Sequence, residues 1–139
     1  MAVRACVVSL PAQSNTIRLG QWYGLSNVTT DTGEPFWFPD WADRCFHIGC
    51  VAADGVTASN FGTGGTVAIQ GSNDFVAGSG NPGTWFTMND SNGNAMSYTA
   101  GAIRMVGEAP LYVRPAMTAG TGTQSVNVAL VARRLYQLF

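Results

Sequence analysis

A chain of 139 residues and 14.7 kDa holds one domain with a sizeable core and is too short for two. Seven arginines and no lysine stand against eight acidic residues, a net charge of −1 with only 11% of the chain charged. That leaves no basic patch dense enough for nucleic-acid binding and no lysine for a P-loop or a Schiff base. No apolar run approaches the roughly 18 residues that cross a bilayer, and the first ten residues lack a signal-peptide layout. The sequence therefore predicts a soluble protein made in a cytoplasm, with no membrane partner. A surface so poor in charge favours association over repulsion, so burial against neighbouring molecules is expected. Cys6, Cys45 and Cys50 are an odd set, which argues against a disulfide framework, and they read as small apolar core residues.

Taken in chain order, residues 1–13 read as an extended N-terminal arm and Ser14–Leu19 as a first, weak alternating run. Residues 27–44 hold Gly33, Pro35 and Pro39 among Phe36, Trp37, Phe38 and Trp41, the composition of an irregular aromatic segment. Each such ring brings roughly 150–250 Å² to be covered, by the domain itself or by a neighbour. Phe46–Ala52 is a further weak run, Phe61–Gly65 a loop, and Thr66–Gln70 a strand with Val67 and Ile69 on one face. After the long exposed loop Ala77–Gly83, the runs Thr84–Asn89 and Ala95–Thr99 are expected to pair across a type I′ turn centred on Asn92-Gly93. Ile103–Val106 and Leu111–Arg114 follow, and the Gly/Thr loop Thr118–Thr123 leads into Ser125–Leu130, with Val126, Val128 and Leu130 on one face. Residues 133–139 form a tail carrying Leu135, Tyr136, Leu138 and Phe139. About eight strands spaced roughly ten residues apart predict an all-β, single-domain antiparallel β-sandwich or jelly roll with extended N-terminal and aromatic arm segments.

Few constellations carry chemistry. Cys45-Phe46-His47-Ile48-Gly49-Cys50 brings thiols and the single histidine together, but alternation along a strand puts Cys45 and His47 on one face and Cys50 on the other. A structural zinc site would need every such residue in the chain, Cys6 included, so a core strand is the better reading. In Asn89-Asp90-Ser91-Asn92-Gly93-Asn94 the glycine is out of register for a calcium loop, and the twelfth position from Asp90 is Gly101. The eight carboxylates lie mostly in turn-like contexts, where Asp caps backbone amides. No catalytic, metal or cofactor-binding residue is assigned, and no enzyme is expected. Trp22, Trp37, Trp41 and Trp85 allow a second reading as a sugar-stacking platform.

The run formed by Gly71-Ser72-Asn73-Asp74, Trp85 with Met88 and Asp90, Gly93, Pro110-Leu111-Tyr112-Val113-Arg114-Pro115 and Val126–Arg134 resembles the small jelly-roll cement or decoration proteins on the heads of tailed bacteriophages. The resemblance spans about residues 65–134, roughly half the chain, and carries no catalytic signature. It implies a virion protein on the outer surface of the head, made in the bacterial cytoplasm. Such a protein bridges major capsid protein subunits, often as a homodimer or trimer, without direct contact to nucleic acid. A tail or fibre β-sandwich is the alternative it also admits, beside the carbohydrate-binding module. The residues expected at the partner interface are Phe36, Trp37, Phe38, Trp41, Arg114, Leu135, Tyr136, Leu138 and Phe139. Arg114, held extended by Pro115, can present its fork to a carboxylate, with Glu108 or Asp74 as intramolecular partners.

Overall fold

The structure, a computed structural model, describes residues 3–9, 17–26, 30–37, 41–51, 57, 59, 65–80, 82–118, 120 and 125–134. Among these are twelve strands and no helix. They are β1 (Val3–Arg4), β2 (Cys6–Ser9), β3 (Ile17–Ser26), β4 (Thr32–Gly33), β5 (Phe36–Trp37), β6 (Trp41–Val51), β7 (Thr66–Ser72), β8 (Phe86–Thr87), β9 (Ser97–Tyr98), β10 (Ala102–Met105), β11 (Tyr112–Thr118) and β12 (Ser125–Arg134). A seven-stranded sheet runs β1-β4-β11-β7-β8, with β5 also on β11 and β9 also on β7. A five-stranded sheet runs β10-β6-β12-β3-β2. The chain changes sheet at most of its connections, so neighbours in each sheet are distant in sequence.

Period-two alternation builds the core between the sheets. Val126, Val128, Leu130 and Ala132 of β12, with Phe46, Ile48 and Cys50 of β6, point in from one side; Val67 and Ile69 of β7, with Val113 and Met117 of β11, meet them from the other. Trp22 is fully buried among them, edge-on to Phe36 with ring centroids 6.2 Å apart, and its indole N–H donates to the Glu34 carbonyl. Pro115 sits inside β11, a position where a proline normally breaks a ladder. It is tolerated because its partner Ile69 turns its own N–H and C=O away, to Met96 and Met88. On the other side of Pro115 the pairing passes from β5 to β4, so no ladder bond is lost there.

Several expectations need correcting. The N-terminal residues that are described do not form a free arm. β1 lies parallel to β4, anchored by the Arg4–Asp31 ion pair at 2.9 Å, and β2 lies antiparallel to β3, so this stretch fastens both sheets. Within 27–44, the described residues include two short strands and the start of β6 rather than an irregular segment. The Asn92-Gly93 turn is not type I′. Gly93 N–H donates to the Asp90 carbonyl and Asp90 N–H to the Asn94 carbonyl, which is a type I turn closed by Gly93 at φ +83°. Asp90 Oδ1 caps it by accepting from the amides of Asn92 and Asn94. The flanking runs pair only at the base of this turn, through Asn89 and Ala95. Beyond it, β8 and β9 lie end to end along β7, and the tip crosses to the other sheet, where Asp90 bridges Val106. Of the cysteines, Cys50 alone is fully in the core; Cys6 packs at its margin and Cys45 faces outward.

Candidate partner-binding face

In β11, burial of Val113, Pro115 and Met117 forces Tyr112 and Arg114 onto the outer face of the seven-stranded sheet. Tyr112 lies directly across from Trp37 of β5, and Arg114 directly across from Gln70 of β7. The loop between β7 and β8 folds over this face and adds two rings. Phe75 meets Tyr112 edge-on at 5.0 Å and leans on Trp85 at 5.6 Å. The Arg114 guanidinium then stacks over Trp85 with Cζ 4.2 Å from the ring centroid, while Nε–H donates to Gln70 Oε1 at 2.9 Å. Burial lowers the Arg114 pKa from its ordinary value. The result is a stack of Tyr112, Phe75, Trp85 and Arg114, with Trp37 beside it across the strand pair and 52% exposed.

The loop is held by its own polar groups. Asp74 Oδ1 accepts from the Thr84 amide at 2.6 Å and from the Ser72 hydroxyl at 2.8 Å, and these bonds, the Thr84 amide foremost, lower the Asp74 pKa. Asn73 Oδ1 accepts from the Leu111 amide, tying the loop to the start of β11. The Trp85 indole N–H donates to the Pro82 carbonyl. Gly83, at φ +72°, passes so close over Phe75 that a Cβ there would lie 2.8 Å from the Phe75 Cβ. On the far side of this loop a cleft of about 380 Å³ is lined by Asp74, Thr84, Phe86, Met88, Glu108 and Pro110. Its floor is apolar, two carboxylates stand at its rim, and Phe86 is 71% exposed.

Set against the expected interface residues, the structure brings Trp37 and Arg114 onto one face. Phe36 is corrected: it is 5% exposed, packs on Trp22 and belongs to the core, because its cross-strand partner is the inward Val113. Phe38, Leu135, Tyr136, Leu138, Phe139 and the Trp41 side chain lie outside the described residues. Arg114 does not reach the expected carboxylates. Asp74 is engaged by Thr84 and Ser72, and Glu108 accepts from the Asn89 amide, while Arg114 takes Gln70 and Trp85. Trp22, weighed as a sugar platform, is sealed in the core. Cys45 and His47 share the outer face of β6 and Cys50 points inward, as strand alternation requires. Phe75, Tyr112 and Gln70 were missed: Gln70 meets Arg114 across a separation of 44 residues and Phe75 meets Tyr112 across a similar one, through a cross-strand register that no local pattern marks.

No protein-family model, no curated protein and no solved structure matches this chain.

Proposed function

We propose that this chain is a non-enzymatic structural protein of a tailed-phage virion, a cement or decoration protein that bridges major capsid protein subunits on the outside of the head. The observation that carries the reading is the row of Tyr112, Phe75 and Trp85 ending in the stacked Arg114 guanidinium, with the open Trp37 across from Tyr112, on the outer face of a sheet. Aromatic residues and arginine are the residue types that anchor protein interfaces, and here packing fixes their rotamers before any partner arrives. The wiring supports the resemblance too. Strands β10-β6-β12-β3 face β4-β11-β7-β8 with the chain crossing between them, an order that supports a jelly-roll reading of the sandwich. A protein of this kind works by joining neighbours: once one subunit is held, the second contact forms at high effective concentration, so modest interfaces sum to a stable shell.

The test is cosedimentation of the purified chain with heads of its phage stripped of accessory proteins. Saturable binding, weakened at least tenfold by Trp37→Ala and by Arg114→Glu in folded variants, supports the reading. Absence of binding, or binding indifferent to both changes, overturns it. A second reading, glycan recognition, rests on the half-open indole of Trp37 opposite Tyr112. A glycan panel that quenched or shifted tryptophan emission in the wild type and not in Trp37→Ala would favour it.

A further inference from the structure

We infer that the outer face of the five-stranded sheet is a docking surface for a second copy of this chain. The register of that sheet lines up two outward rows. One runs Ile103, His47, Ala129, Gln21 and Val7 across β10, β6, β12, β3 and β2; the next runs Met105, Cys45, Val131 and Leu19 across β10, β6, β12 and β3. Neither row contains an Asp, Glu, Arg or Lys. Ile103 is 59% exposed, Tyr23 51%, Val7 50%, Met105 44% and Val131 36%, although each has a side chain that ordinarily contributes to a core.

Three features select a second copy as the occupant. The first is charge. In a twofold contact each patch meets itself, so any charged residue near the centre faces its own kind. These uncharged rows carry no such cost, the exposed Arg133 lying beyond them two residues along β12 from Val131, whereas the opposite face would set one Arg114 against another. The second is area. The exposed parts of Ile103, Tyr23, Val7, Met105 and Val131 alone come to roughly 400 Å², about half of the ~800 Å² per partner of a standard interface. The third is shape. Gly49 and Ala129 leave a hollow of about 310 Å³ between Tyr23 and His47, and the Ile103–Met105 ridge stands on the neighbouring edge strand. One sheet turned onto another would set ridge into hollow at the usual ~10 Å spacing of packed sheets.

This inference does not rest on the virion reading, since it concerns the opposite face and needs no capsid. Sedimentation velocity of the purified chain across about 1–100 µM tests it, with Ile103→Arg and Val131→Glu as separate variants and Thr87→Glu, at an exposed position of the seven-stranded sheet, as the control on the other face. A reversible dimer is expected, with its dissociation constant raised at least tenfold by each variant on this face and unchanged by the control. Both variants are at exposed positions, and unchanged urea midpoints confirm that they fold; Met105→Arg replaces either one that does not. A wild type that stays monomeric throughout, or a dimer unmoved by the variants on the five-stranded face, overturns the proposal.

Discussion

Replacing Arg114 by Ala removes two contacts whose sizes can be estimated separately. The guanidinium lies 4.2 Å from the Trp85 centroid, inside the roughly 6 Å range of a cation–π contact. Because the side chain is half-buried, the contact falls between the ~0.5 kcal/mol of exposed pairs and the ~2 kcal/mol of desolvated ones, so about 1 kcal/mol. The charged hydrogen bond to Gln70 adds about 1.5 kcal/mol. Arg114→Ala should therefore cost about 2–3 kcal/mol, and a double-mutant cycle with Trp85→Ala should return a coupling of about 1 kcal/mol. Trp85→Ala also strips Phe75 of its neighbour, which is why the cycle and not the single variant isolates the stack. Urea unfolding followed by far-ultraviolet circular dichroism avoids the tryptophan signal that the variants change. At a slope of about 1.5 kcal/mol/M, the coupling corresponds to about 0.7 M in midpoint. Arg114→Lys should recover only part of the loss, since an ammonium lacks the planar fork. Additive midpoints, with coupling under ~0.3 kcal/mol, would refute the account of how the stack is held.

Four further outcomes follow from the same geometry. Gly83→Ala combines a left-handed backbone with a methyl driven onto Phe75, and should cost about 2–4 kcal/mol in urea midpoint while loosening Phe75 and Trp85, visible as a change in near-ultraviolet dichroism. Leu130→Ala, at a fully buried β12 position, should cost about 2–5 kcal/mol in the same measurement. Asp74 has its pKa lowered in the folded state, so its contribution is complete above the unfolded carboxylate range and is lost as pH falls through the folded value. Asp74→Asn should then lower the urea midpoint at pH 7 and make little difference near pH 2. Burial raises the Cys50 thiol pKa, so Cys50 should resist iodoacetamide in the native protein and react once urea unfolds it, read by peptide mass spectrometry.

The sandwich was legible because the inward residues of β7, β11 and β12 alternate without interruption, and period two needs no tertiary knowledge to read. Which of two adjacent aromatics faces in is a different matter. Phe36 and Trp37 are indistinguishable as a pair in sequence; the register that sets Phe36 against Val113 and Trp37 against Tyr112 decides it, and that register comes from a strand some 75 residues away. The hairpin around Gly93 was recognisable as a turn, but its type depends on where Asp90 places its carboxylate. The apolar outer face of the five-stranded sheet did leave a trace. Val128-Ala129-Leu130-Val131-Ala132 is apolar at successive positions, although its outer residues Ala129 and Val131 are not buried within the chain.

The proposed bridging of capsid subunits is read out by the thermal stability of stripped phage heads titrated with this chain. The melting temperature is expected to rise with added protein and to saturate at a fixed number of copies per capsid subunit, with Trp37→Ala and Arg114→Glu shifting the titration to higher concentration. Heads that melt at the same temperature with and without a saturating excess of folded wild-type protein would contradict that bridging.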